Sequence, residues 1–419
     1  MLISIKKIIE KYSNIPETAK WKIIILEYGI NTYIKEGFFN YFLKDYKTKY
    51  AAKNPKALNY KVYDYSKNKS IIPSEIIIKD KNNNASLVKL RYNPDSPIKL
   101  IFDKNINIFR LFLDNKRKEE EISLKVELVK KKGDNLVSII GEDRISIILF
   151  DGCWNWNINS PCLFCDLNPK RKNYQSIIPN LNNLVDFNFD YKKWWDIYKY
   201  NYFKNLGPSF KKAFKESKPH KHLLIMSGGF INNKYLWLMI KEFLKNLNKI
   251  IPLNKFDNYL NVPPPIRNKE LILREIKEMG IKQIQFNLEV IGKNNFKLIC
   301  PGKSKFIGYD NYIESLKLGI KIFGSGKVRS NFVLGAQPLN VLLRGIKNFA
   351  KYGIVSDYSI FQPKKGTKWE NKKGLSIEEL LEFSAELANI YKQYKFEGIY
   401  CSLSSRSSII NEILNHNVS

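Results

Sequence analysis

Histidine and cysteine are sparse in this chain: three histidines and five cysteines in 419 residues. Five thiols, Cys153, Cys162, Cys165, Cys300 and Cys401, are too few to replace a hydrophobic core with a disulfide framework. Where thiols cluster in a reducing compartment, they point to metal binding instead. No run reaches the roughly 18–20 consecutive apolar residues that a membrane-spanning helix needs, so no membrane partner is expected. The opening MLISIKKIIEKY sets lysines among its isoleucines and lacks the unbroken apolar stretch of a secretory signal, so a cytoplasmic location is expected. Arginine is scarce too, at ten positions against 60 lysines, which bears on the formal charge of +30. Clustered cations bind phosphates by releasing counterions, but phosphate recognition commonly enlists the planar arginine fork. Lysines scattered among asparagines and isoleucines read as solvated surface, so nucleic acid is not the favoured partner.

What is present is the composition of a folded globular chain, 44% hydrophobic and 26% charged, long enough for one large catalytic domain and an accessory region. Residues 1–140 read as that accessory region: helical patterns, then short strands such as 74–79 and 124–128, between clusters of Asn, Asp, Gly and Lys. From about Arg144 short apolar runs alternate with longer amphipathic segments. Strands are expected at 145–150 and 223–226. A helix over 268–279 stops at Gly280 before a strand at 281–290; a helix over 310–318 stops at Gly319 before a strand at 320–323; a helix over 340–352 stops at Gly353 before a strand at 358–361. Repeated helix–glycine–strand units imply an α/β fold with parallel strands, either a barrel or an open doubly wound sheet. Ser376 and Glu379 form a capping box that opens a last helix in a C-terminal helical extension, 371–419.

The strand at 281–290 favours the barrel. Ile284, Phe286, Leu288 and Val290 alternate there with Gln283, Gln285, Asn287 and Glu289. A parallel strand covered by helices on both faces is apolar on both. A wholly polar face fits a barrel strand whose apolar side packs against the outer helices and whose polar side lines a ligand chamber; the alternative is an edge strand with a wet face.

The sharpest local signal is Asp151-Gly152-Cys153, then eight residues, then Cys162-Leu163-Phe164-Cys165. Three thiolates on a loop after a strand can ligate three irons of a cubane cluster, leaving one iron open for chemistry. The same cysteines could hold zinc with a histidine, Cys300 or Cys401 as fourth ligand, or be buried thiols without metal; His220, His222 and His416 lack the usual paired spacing with them.

Here the sequence resembles the radical S-adenosylmethionine (radical SAM) superfamily. Its commonest spacing is C-x3-C-x2-C, and this chain differs in the first interval, as does the catalytic subunit of Elongator. Further segments match in order. Ser227-Gly228-Gly229-Phe230 is similar to the Gly-Gly-Glu motif, with Phe230 in place of the acid. Phe286-Asn287-Leu288-Glu289-Val290 is similar to a strand of biotin-synthase-like and lipoyl-synthase-like members. The run 324–335, ending in Gly335 and containing Arg329, resembles the fifth-strand region, and Phe361-Gln362-Pro363 with Gly366-Thr367 a late turn. The resemblance implies a partial (β/α)6 TIM-like barrel over 141–370 with the N-terminal α+β accessory region. It also implies a 4Fe-4S cluster on Cys153, Cys162 and Cys165, with S-adenosyl-L-methionine on the open iron and a 5′-deoxyadenosyl radical as the agent. Phe164 then packs by the adenine, Gly228 and Gly229 hold the amino group, Asn287 and Glu289 the ribose, Arg329 the carboxylate, and Gly335 lies along the adenine. It further implies a reductant such as flavodoxin or ferredoxin. The substrate class is open among small molecule, peptide and RNA, and no catalytic residue toward it is identified. Two rivals use the same cysteines: a zinc-binding nucleic-acid-binding protein and a non-catalytic iron–sulfur protein.

Overall fold

The computed structural model describes residues 2–32, 48–50, 71–103, 108–114, 119–134, 136–149, 152–168, 190–217, 221–230, 232–398 and 405–416. Asp151, His220 and Cys401 lie outside them. The chain divides into two compact units, Met1–Lys131 with Glu370–Lys392 and Gly398–Ser419, and Lys132–Trp369 with Gln393–Glu397.

In the first unit the C-terminal segment, expected as a helical extension, packs with the N-terminal region. The Tyr12 hydroxyl donates to Glu382 at 2.6 Å. Lys22, wholly enclosed in the helix Glu17–Tyr28, donates to the Glu412 carboxylate and to the Ser405 carbonyl, each at 2.7 Å. A charge buried this deeply needs such partners, because desolvation of an unpaired ammonium costs several kcal/mol. The unit also holds a six-stranded antiparallel sheet, in which the strands expected near 74–79 and 124–128 are found at Glu75–Lys79 and Lys125–Leu128. Ser376 and Glu379 make both bonds of the capping box, Ser376 N–H to the carboxylate at 2.8 Å and Glu379 N–H to the hydroxyl at 3.2 Å, ahead of the helix Ile377–Gln393.

The second unit is built on a seven-stranded sheet. Its strands are β1 (Val137–Ile140), β2 (Arg144–Ile148), β3 (His222–Met226), β4 (Asp257–Asn261), β5 (Gln283–Gln285), β6 (Val328–Leu334) and β7 (Ile354–Ile360). They lie in sequence order; β2 to β7 are parallel and β1 is antiparallel to β2. A doubly wound sheet reverses its strand order at a switch point, and this order never reverses, so the architecture is that of a barrel. β2 and β7 are not paired with each other among the described residues, which makes it a partial barrel of six parallel strands. Helices α1 (Tyr191–Glu216), α2 (Asn233–Ile250), α3 (Lys269–Glu278), α4 (Lys293–Ile299), α5 (Pro301–Phe306), α6 (Tyr309–Phe323) and α7 (Leu339–Lys351) fill the connections. In α7 the buried Leu342, Ile346, Phe349 and Ala350 recur at helical spacing, and burying each large one contributes about 1.5–3 kcal/mol.

Three expectations change. Gly319 does not stop a helix: α6 runs through it to Phe323, so 320–323 is helical and the next strand is β6. A Cβ at Gly319 would lie 2.7 Å from Ile284 Cδ1 and 3.1 Å from Val328 Cγ2, so this glycine lets the helix close onto β5 and β6. The stop is Gly324, at φ 97°. Strand β7 begins at Ile354, directly after Gly353, rather than at 358. Strand β4, DNYLN, escaped the sequence reading because of its polar residues. Asn258 is buried there because its side chain ties two loops together, donating to the Leu253 and Gly280 carbonyls and accepting from Lys282 N–H.

Candidate active site

A cavity of about 910 Å³ opens at the carboxyl ends of the parallel strands, reached by Ile148, Met226 and Asn261, the last residues of β2, β3 and β4. That is the end at which barrel folds carry their sites, because the loops that vary there sit on a rigid frame. Of the ten residues expected at the site, eight line it: Cys153, Cys162, Phe164, Cys165, Gly228, Gly229, Asn287 and Glu289.

The cysteine loop after β2 is closed on itself by Cys153 N–H donating to the Leu167 carbonyl at 2.9 Å, and Cys165 N–H turns back to the Cys162 carbonyl at 3.0 Å. It is also fastened from outside. Trp154 N–H donates to the Gly229 carbonyl at 2.9 Å, and Gly229 N–H donates to Cys153 Sγ at 3.3 Å. Leu163 N–H donates to the Ile299 carbonyl and Gly302 N–H to the Ser160 carbonyl. The close approach requires glycine: a Cβ at Gly228 would sit 2.2 Å from the Gly152 carbonyl oxygen, and one at Gly302 2.5 Å from the Ser160 oxygen.

The three thiols share one site. Burial pushes the Cys153 thiol up, and Cys162 adds to it; Cys165 is pushed well up by burial, then by Cys162 and Cys153. A hydrogen bond with the buried Cys300, followed by burial, raises Cys162 well above the ordinary thiol range. Among the described residues no three His, Cys, Asp or Glu side chains converge closely enough to hold a single metal ion. A cubane takes its thiolates on separate irons, and three thiols lining one cavity suit such a cluster.

Asn287 and Glu289 line the same cavity. The polar face of the segment after β5 turns into the barrel as expected: Asn287 Oδ1 accepts from Gln285 Nε2 at 2.8 Å and from Asn331 N–H at 3.2 Å, while Phe286, Leu288 and Val290 are fully buried. Regular pairing ends at Gln285, and Glu289 sits at φ 70°, bridged to Phe332. A left-handed backbone at a residue other than glycine costs roughly 1–2 kcal/mol and persists where its surroundings hold it. Here Glu289 N–H donates to the Asn331 carbonyl, Val333 N–H to the Glu289 carbonyl, and Lys303 Nζ binds the carboxylate at 2.7 Å. Lys303 also donates to the Asn287 carbonyl at 2.9 Å and lies 5.7 Å from the Tyr312 ring centre. Burial opposes its charge, but Glu289, Tyr312, Cys162 and Cys300 around it raise its pKa well above the usual lysine value.

Lys303 and Tyr312 were not anticipated, since they come from α5 and α6 rather than from a strand end. The local signal was the Cys300-Pro301-Gly302 turn, with proline at the helix start and a glycine that admits the cysteine loop.

Arg329 and Gly335 do not line the cavity. Arg329 is the second residue of β6, three residues before Phe332, the partner of Glu289; at about 3.3 Å per residue that is roughly 10 Å toward the opposite end of the barrel. Only 2% exposed, it binds the Asp357 carboxylate at 3.0 and 3.4 Å and Gln283 Oε1 at 3.0 Å. In this position it forms a buried ion pair and does not reach the cavity lining, where a carboxylate clamp was expected. Gly335, at φ 92°, turns the chain after β6. The late turn packs on the cysteine loop: Lys364 pairs with Asp166 at 2.8 Å, Trp369 N–H donates to the Leu163 carbonyl, and the Phe164 and Trp369 rings lie 6.2 Å apart. Phe230, where the motif has an acid, lines the cavity beside Trp194.

No helix among the described residues is long and apolar enough to cross a membrane. No family model matches the chain. Among curated proteins, bacteriochlorophyllide c C-7(1)-hydroxylase of Chlorobaculum limnaeum is 31% identical over 144 residues, 34% of this chain and 35% of that protein. The chain is thus matched to about a third of that relative's length. Solved structures with a similar trace include the FeFe-hydrogenase maturase HydG from Carboxydothermus hydrogenoformans (13% identity, TM-score 0.39, 65% of this chain and 56% of that one). They also include coproporphyrinogen III oxidase HemN from Escherichia coli, described as a radical SAM enzyme (12%, 0.38, 61% and 53%). A third is a radical SAM methyltransferase from Sphaerobacter thermophilus (10%, 0.41, 71% and 76%). At these scores the structural likenesses carry no weight of their own; strand order defines the fold, and the cavity defines the site.

Proposed function

We propose that this chain is a member of the radical SAM superfamily, an enzyme that binds a 4Fe-4S cluster and S-adenosyl-L-methionine in the cavity at the carboxyl end of its barrel. One observation carries the proposal: the three cysteines, the glycine pair, and Asn287 with Glu289 follow three different strands and line the same cavity. Nothing about their spacing along the chain requires this.

Cys153, Cys162 and Cys165 are the proposed cluster ligands. Gly228 and Gly229 leave room for close backbone approach beside Cys153, and Phe164 supplies an apolar wall for the adenine. The Glu289 carboxylate, held by Lys303, is aimed to accept from a ribose diol, as an acidic residue does in dinucleotide sites. Arg329, which does not line the cavity, is left out of the proposed cofactor contacts. When bound, the cluster and S-adenosylmethionine together supply reductive cleavage of the sulfonium, giving a 5′-deoxyadenosyl radical that takes hydrogen from a substrate. The name of the curated relative, a hydroxylase, agrees with attack on a C–H bond. An external one-electron donor of the flavodoxin or ferredoxin class would serve it.

Anaerobic reconstitution with iron and sulfide tests the proposal: about four irons and four sulfides per chain are expected, with an electron paramagnetic resonance signal after reduction that changes when S-adenosylmethionine is added. One zinc per chain and no iron uptake, or a cluster indifferent to S-adenosylmethionine, would overturn it.

A further inference from the structure

The rim of the cavity, away from the cysteines, is apolar and open to water. Leu238 in α2, Ile266 in the β4–α3 loop, Leu271 in α3 and Phe306 in α5 line it and are 47, 37, 58 and 41% exposed. Single exposed apolar side chains are ordinary, but several gathered on one cavity mark a surface that something covers. The rim is also rigid before anything binds. Pro263, Pro264 and Pro265 restrict the backbone, and the Asn233 side chain clamps it from both sides, donating to the Pro264 carbonyl and accepting from Ile266 N–H, each at 2.9 Å. Asn311 donates to the Pro265 carbonyl at 3.2 Å. A wall ordered in advance loses little entropy when a ligand lies on it.

Charge narrows the occupant. The acid among the lining residues, Glu289, is matched by Lys303, and Lys241 is matched by Glu275 at 2.8 Å. Arg267 and Lys234, also on the rim, have no acidic partner among the described residues. The unmatched charge is therefore positive, next to an apolar wall. A single-stranded nucleic acid would call for a longer cationic track with several stacking rings, whereas this rim offers two such cations and one exposed phenyl ring.

Building on the cofactor site proposed above, we infer that the rim binds the body of the substrate, a small molecule with an extended apolar framework and a carboxylate. The framework lies on Leu238, Ile266, Leu271 and Phe306, and the carboxylate meets Arg267.

Two dyes with the same ring system test this on the full chain: anilinonaphthalene sulfonate, whose sulfonate stands in for the carboxylate, and the uncharged N-phenyl-1-naphthylamine. Both should bind saturably at about one per chain. Arg267→Gln should weaken the sulfonate dye about tenfold and leave the neutral dye unchanged. Leu271→Asp, at an exposed position, should weaken both about tenfold. If the wild-type chain binds neither dye, if both variants bind like wild type, or if Arg267→Gln affects both dyes equally, the assignment is wrong. Iron content is measured in parallel. Altered dye binding in a chain that takes up no iron supports the rim and overturns the cofactor reading, whereas unaltered binding in a chain with a normal cluster overturns the rim alone.

Discussion

Cys162 differs from the other proposed ligands in having a second thiol, Cys300, against it. The Leu163–Ile299 and Gly302–Ser160 backbone bonds bracket the two cysteines and hold them together. If three ligands and an open iron are correct, Cys162→Ala loses the cluster, whereas Cys300→Ala keeps wild-type iron and sulfide content; loss of iron in both variants would make Cys300 a ligand. At this scale the sequence was informative where the signal is local. Cysteine spacing, a glycine pair and an alternating strand are each short stretches of neighbouring residues. Lys303 and Tyr312 were invisible because a crossover brings them to Glu289, and no pattern at their own positions announces it. Arg329 lies away from the cavity lining, and scarcity of arginine says nothing about height along a strand.

Among the elements, β5, β6 and β7 share a polar seam inside the barrel, Gln283–Arg329–Asp357, below the cavity. Removing one partner leaves the other charge buried and unmatched, so Arg329→Met should destabilise the chain by about 3–5 kcal/mol, measured by denaturant unfolding. In the fraction that folds, affinity for S-adenosylmethionine should be unchanged; a selective loss of affinity without loss of stability would restore Arg329 to the site. The helix–glycine–strand rhythm made the parallel α/β class legible, and the capping box at Ser376 was read correctly from four residues. Gly319 shows the limit of that reading. A glycine that ends a helix and one that lets a helix approach a strand look alike in sequence, and only the neighbouring Ile284 and Val328 tell them apart.

At the scale of the whole molecule, the return of the C-terminal segment to the N-terminal unit is the least legible feature, because its contacts join residues hundreds apart. The Lys22–Glu412 pair has side-chain exposures of 0 and 3%. Lys22→Met should cost about 3–5 kcal/mol, and the double variant Lys22→Met with Glu412→Leu should recover most of that loss, as unfolding midpoints would reveal. If the single and double variants are equally unstable, the pair is not what couples the termini. Function is decided at this scale as well, since no single residue performs the proposed chemistry and the cavity must bring three strand ends to one cluster. Anaerobic reduction of the reconstituted chain with dithionite in the presence of S-adenosylmethionine, followed by chromatography, reads the outcome directly. The account predicts 5′-deoxyadenosine and methionine in equal amounts, abolished by Cys162→Ala; a fully loaded, reduced cluster that leaves S-adenosylmethionine intact would contradict it.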